Sequence, residues 1–141
     1  MRDYNLERFV KAQEMMYEWA LKEIKNGRKQ THWMWFIFPQ MKGLGRSSTA
    51  QYFGIEDRGE AEAYLEHPIL GARLREISLA LLELDKSDPY EIMGGIDGKK
   101  LCSSMTLFAQ IEGQDSVFSR VLDKYYGGKA DMRTVGLLLG D

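Results

Sequence analysis

The side chains able to carry nucleophilic attack, proton transfer at neutral pH or transition-metal ligation are few: two histidines, His32 and His67, and one cysteine, Cys102. They form no HExxH, no paired cysteines and no Asp-rich loop, so no metal site is expected. A thiol nucleophile would need His32 or His67 beside Cys102. Cys102 instead falls at the edge of a helix's apolar face, the setting of an inert buried thiol. No GxSxG, Walker A or GxGxxG occurs, and the stretch GLGRSS, 43–48, has glycines and donors without phosphate-loop spacing. His67 precedes Pro68 and reads as a helix terminator. His32 joins a cationic loop to an aromatic block, where a hydrogen bond to the backbone is its first reading. The carboxylates are spread along helix surfaces, and no acid/base pair stands out. Catalytic residues are left unassigned, and no cofactor is expected.

Binding chemistry has more to work with. In THWMWFIFPQMKGLGRSS, two of the three tryptophans lie within a few residues of cations and hydroxyls. No acidic residue occurs between Glu23 and Glu56, whereas Lys25, Arg28, Lys29, Lys42 and Arg46 all do. This excess of +5 leaves about −7 on the rest of a chain whose net charge is −2. A solvated basic edge is the plain reading, and a site for an anionic ligand is the sharper one. Trp33 and Trp35 are two apart, so in an extended segment they share a side while Met34 and Phe36 take the other.

The surrounding elements read as helices. Leu6, Phe9, Val10, Met16, Tyr17, Ala20, Leu21 and Ile24 recur at helical spacing over 6–26, with Asn5 as N-cap and Gly27 as the left-handed stop. A short turn over 50–53 is capped by Ser47 or Ser48. Asp57 starts a helix over 59–66, closed by His67-Pro68. A helix over 69–84 is apolar around much of its circumference, which makes it the expected central helix. Ser87-Asp88-Pro89 starts a short helix that Gly94-Gly95 ends. Two more span 98–111 and 116–126, the latter capped by Asp115 and stopped by Gly127, and a last turn or two follows Asp131. Only 33–38 could form a strand. The expected fold is all-α: a compact orthogonal bundle of about six to seven mostly short helices, as a single domain over 1–141.

Polar residues on these apolar faces narrow the search, because burying one without a partner costs about 1–3 kcal/mol. Gln13 lies within the first helix's stripe and Arg75 within the broad arc of the third. Lys100 and Ser104 share the face of Leu101, Phe108 and Ile111. Local partners would satisfy each one singly. Together they would line one polar pocket walled by the aromatic stretch. Trp19 falls outside the first helix's stripe beside Met15, a hint of a partner contact.

Composition bounds the rest. The chain has 141 residues, 44% hydrophobic and 28% charged, in the ordinary globular range. A single cysteine excludes an internal disulfide and fits a reducing cytoplasm. No apolar run reaches the roughly 18 residues of a membrane span, and the opening MRDYNLERF lacks a secretory core. A cytoplasmic protein without membrane or nucleic-acid partners is expected.

The strings HWMWFIFPQMKGLGRSS, AYLEHPILGARLRE, KKLCSSMTLFAQ and VFSRVLDKYYGG, with RFVKAQ at 8–13, resemble a bacterial family, domain-of-unknown-function family 1810. The resemblance spans nearly the whole chain. It implies a mainly α-helical single domain and no established activity. Members are sometimes mislabelled calpastatin, but a calpain inhibitor would be a disordered repeat protein and this chain is not repetitive. The family's motif positions here include Gln13, His32, Trp33, Trp35, Pro39, Gln40, Gly45, Ser47, His67, Pro68, Lys100, Ser103, Ser104, Thr106 and Phe108.

The leading expectation is an anionic, nucleotide-like small molecule. Trp33 or Trp35 would stack on its flat group, while Gln13, Gln40, Lys100 and Ser104 supply hydrogen bonds and Arg46 stands at the mouth; His32 and Ser47 complete the ligand-binding set. One alternative is a homo-oligomeric interaction module, dimerising through the Trp19 face. Another is a hydrolase or glycosidase on a nucleotide-type substrate, with His32 or an unidentified carboxylate as acid/base.

Overall fold

The computed structural model describes residues 4–139. Among them are nine helices: α1 (Glu7–Lys25), α2 (Met34–Ile37), α3 (Ser48–Phe53), α4 (Arg58–Glu66), α5 (Leu70–Leu82), α6 (Pro89–Met93), α7 (Gly95–Glu112), α8 (Val117–Tyr126) and α9 (Met132–Leu138). The all-α class and the predominance of short helices agree with the sequence. The count is nine rather than six or seven, because α2 and α3 are one-turn elements with no period to read.

Cap chemistry accounts for most of the boundaries. Ser47, Asp57, Asp88 and Ser116 each accept a backbone N–H from the first turn of their helix. Ser116, not Asp115, therefore caps α8. Leu6, not Asn5, holds the N-cap position of α1, and Asn5 adopts φ 54°. Gly27 at φ 79° and Gly127 at φ 62° follow the ends of α1 and α8 as expected. α7 begins at Gly95, three residues early, since Gly94 at φ 92° makes the break alone. His67 ends α4 and its Nδ1 accepts the N–H groups of Ile69 and Leu70, a structural role that starts α5.

Packing runs α1 on α5, α5 on α8 and α8 on α7, with α4 bridging α5 and α7. α7 also meets α6 and α9, so it is the most enclosed helix, rather than α5. Leu79 and Ile69, inside or beside the expected wide apolar arc of α5, are exposed. Two polar anchors tie the layers: Lys124 of α8 donates to the carbonyls of Leu81, Leu82 and Leu84 at the end of α5, and Tyr125 Oη donates to Leu81 O at 2.6 Å. These satisfy carbonyls that a helix end leaves without partners.

Segment 33–38 is not a strand. It closes into α2, because Phe36, Ile37 and Phe38 donate back to the carbonyls of Trp33 and Met34. The extended-face pairing of Trp33 with Trp35 is lost: Trp33 is fully buried and Trp35 only half-buried. After α2 the chain runs straight for Gln40–Lys42 and pairs with Ile55, with Ile55 N donating to Gln40 O (2.9 Å) and Lys42 N to Ile55 O (2.8 Å). This clasp closes the loop carrying α3. A Cβ on Gly54 would sit 2.6 Å from Lys42 Cα, so only glycine permits the approach.

Candidate functional site

A cleft of about 670 Å³ opens where the 40–45 loop, the start of α6, the first half of α7, the end of α8 and the start of α9 meet. The size suits a small-molecule ligand. Helix α7 supplies its floor at a repeat of three and four residues: Ile96, Lys99, Lys100 and Ser103. Gly98 lets the walls come close. A Cβ there would stand 2.6 Å from the Tyr90 ring, and the Tyr126 hydroxyl donates to Gly98 O. Burial pushes the Tyr126 phenol up, so it remains a donor.

Asp131 is the fixed acid of the cleft. Its Oδ2 accepts from Ser103 Oγ at 2.7 Å and Thr134 Oγ1 at 2.6 Å, while its own N–H donates to Thr106 Oγ1 at 2.8 Å. Burial favours the neutral acid. Hydrogen bonds from Thr134, Ser103 and the Arg133 backbone, with the Arg133 guanidinium charge, outweigh burial and hold the carboxyl below its ordinary value. Against this one carboxylate stand Lys99, Lys100 and Arg133, so the lining carries a net charge of +2. Cys102 also lines the cleft, but burial pushes its thiol up, and its Sγ lies 3.6 Å from Lys129 O. Such burial disfavours the thiolate, the form that attacks.

The residues singled out from sequence separate into groups. Gln40 and Lys100 meet at the cleft. Trp35 lies directly behind them, in a crevice lined also by Met34, Phe53 and Gly54, with Lys100 Nζ 5.5 Å from its ring centroid. The others lie outside the cleft lining. Gln13 is buried between α1, α2 and α4, donating to Phe36 O (2.7 Å) and Tyr64 Oη (3.0 Å). His32 is exposed. Arg46 is exposed and its carbonyl accepts from Gln51, while Ser47 caps α3. Ser104 is wholly buried and its Oγ has no hydrogen-bond partner. Arg75 turns to the surface, pairing with Glu112 at 2.6 Å. Gln13, Arg75, Lys100 and Ser104 therefore do not share one pocket. Each helix meets different neighbours on different sides, so an inward direction differs from helix to helix.

Trp33 is held by a residue the sequence reading passed over. Glu23, 6% exposed, accepts from Trp33 Nε1 (2.9 Å), Gln30 N (2.8 Å), Thr31 N (3.1 Å) and Thr31 Oγ1 (2.7 Å). These bonds lower its carboxyl below the ordinary value although burial opposes ionisation. Lys29, one of the cations between Glu23 and Glu56, is ion-paired with Asp97 at 3.0 Å and lies over the Trp33 ring. The cations of the cleft come instead from α7 and α9. Ser103 is among the family's motif positions, but Lys99, Asp131 and Arg133 lacked a usable linear signal, because α7 and α9 are far apart in sequence and only docking of α9 on α7 joins them.

Residues 3–138 match the family described as Protein of unknown function (DUF1810). The chain belongs to that family. A solved structure similar to this DUF1810 member is that of a conserved hypothetical protein from Mycobacterium tuberculosis, 46% identical, with a TM-score of 0.93 over 98% of this chain and 99% of that one. No curated protein matches the DUF1810 chain. No helix among its described residues is long and apolar enough to cross a membrane, and no group of three or more His, Cys, Asp or Glu there is placed to hold a metal ion.

Proposed function

We propose that this DUF1810 protein binds an anionic, nucleotide-like small molecule in the cleft between the 40–45 loop, α7 and α9. The observation that carries this reading is the gathering of Lys99, Lys100 and Arg133 around one concave site beside tyrosines. Cations gathered on one concave surface attract an anion more strongly than the same charges spread apart. The site differs from the aromatic pocket expected from sequence: Gln40 and Lys100 belong to it, and Tyr90 and Tyr126 replace the tryptophans as flat walls.

Thermal-shift measurements against nucleoside mono- and diphosphates and sugar phosphates test it. Ligand at a hundred times its Kd stabilises the native state by about 2.7 kcal/mol, a rise of several degrees for a domain of this size. Lys100→Ala combined with Arg133→Ala should remove the shift while leaving the unliganded melting temperature nearly unchanged. A full panel with no shift in the wild-type protein defeats the reading.

The second reading, self-association through α1, is favoured by Met15 and Trp19, which are 86% and 53% exposed one helical turn apart. It predicts a concentration-dependent dimer in sedimentation that Trp19→Ala weakens. A strict monomer at high protein concentration contradicts it.

A further inference from the structure

The cleft is graded along its length, and the grading selects a ligand class. Resting on the reading of the cleft as an anion site, we infer that it takes a nucleoside diphosphate bearing a terminal sugar. Along α7 the lining residues fall in a fixed order. Gly95 and Ile96 come first, Lys99 and Lys100 one turn later, and Ser103 one turn later again. At a helical rise of 1.5 Å per residue, Ile96 and Ser103 are about 10 Å apart along the axis.

The two ends differ in chemistry. At the first, Ile96 is 74% exposed and Tyr90 45% exposed, two apolar side chains lining the same cleft. A planar heterocycle covers them without needing a charge partner. The middle presents two ammonium groups. At the far end Ser103 bonds to Asp131, whose carboxylate is held ionised by Ser103, Thr134 and the Arg133 backbone. At that end Arg133 only balances the charge of Asp131, so a bare polyphosphate meets less attraction there than between Lys99 and Lys100. A hydroxylated ring would instead donate to the carboxylate and to Ser103 Oγ, whose own proton is already given to Asp131.

The order is thus apolar, cationic, hydroxyl-accepting, which matches base, diphosphate and terminal sugar in sequence. A nucleoside monophosphate fills only the first two zones. A simple sugar phosphate fills only the last two.

Isothermal titration on the full chain tests the order with four probes: inorganic pyrophosphate, ADP, ADP-ribose and UDP-glucose. The sugar-bearing diphosphates are expected to bind at least about tenfold more tightly than ADP, and ADP more tightly than pyrophosphate. Asp131→Asn should cut the advantage of ADP-ribose over ADP to less than about threefold, with ADP affinity unchanged or improved. Lys100→Ala should weaken ADP and ADP-ribose by the same factor. Should Asp131→Asn fail to fold, the wild-type ratio of ADP-ribose to ADP decides alone. Equal affinity for the two overturns the terminal-sugar assignment but leaves the anion site standing. Absence of binding by all four overturns both.

Discussion

At the scale of single residues, one buried carboxylate organises the chain ahead of α2. Glu23 accepts four hydrogen bonds from the 30–33 segment and so fixes the approach to α2. Glu23→Ala strands the Trp33 indole N–H and two backbone amides; a loss of about 3 kcal/mol is expected, measured by urea unfolding. Glu23→Gln keeps one acceptor and should cost less. Glu23 and Asp131 both have folded pKa values lowered below those of the unfolded chain, where Glu and Asp titrate at about 4.3 and 3.9. Their stabilisation is therefore fully present above those unfolded values and is lost as pH falls through the folded ones. Melting temperature should be insensitive to these two groups above about pH 5.5 and should fall on acidification below about pH 4. The Glu23→Gln, Asp131→Asn double variant should show a flatter acid limb, and an unchanged limb would contradict the assignment.

At the scale of elements, two glycines give opposite expectations. Gly71 sits in the first turn of α5, where an added Cβ would meet the backbone oxygen of Leu65 at 2.1 Å. Backbone cannot step aside as a side chain does, so Gly71→Ala should pry α4 from α5. A loss above about 2 kcal/mol is expected, comparable to overpacking a core. Gly136 lies within α9 with nothing within 4 Å of an added Cβ. Gly136→Ala should stabilise by about 0.5–1 kcal/mol through helix propensity. Differential scanning calorimetry of the pair gives both signs in one experiment. Element boundaries were legible in the sequence at cap side chains such as Asp57 and Asp88 and at the stop glycine Gly27. They were not legible at α2, whose aromatic run has no polar interruption to show whether its period is two or 3.6.

At the scale of the whole molecule, long-range ion pairs join segments that sequence reading keeps apart. Lys29 Nζ, with a side chain 6% exposed, pairs with Asp97 at the start of α7 and so fastens the 27–33 loop to the cleft-bearing helix. Asp97→Ala leaves the ammonium without its carboxylate in a mostly dry site, at an expected cost of about 2–4 kcal/mol. Replacing both Lys29 and Asp97 with Met and Leu should recover much of that loss. A double variant as unstable as Asp97→Ala would show that the carboxylate acts through some other partner. Arg8 plays a comparable part, with Nη2 2.9 Å from Glu60 and further bonds to the carbonyls of Tyr52 and Gly54. It holds α1, the α3 loop and α4 together.

The division between sequence and tertiary structure follows from the range of the forces involved. Helical period, caps and stop glycines are local, so the chain by itself determined an all-α fold, the extent of α1 and the buried face that contains Gln13. Local chemistry likewise determined that the aromatic block ends in a polar loop. Which polar groups meet is decided by packing between helices far apart in sequence. Lys29 was drawn from the cationic run to Asp97, Glu23 was turned inward to Trp33, and α9 was laid on α7 so that Asp131 and Arg133 joined Lys99, Lys100 and Ser103. A helical wheel reports one helix's own asymmetry. The cleft is the shared boundary of five segments, and it exists only once all five are in place.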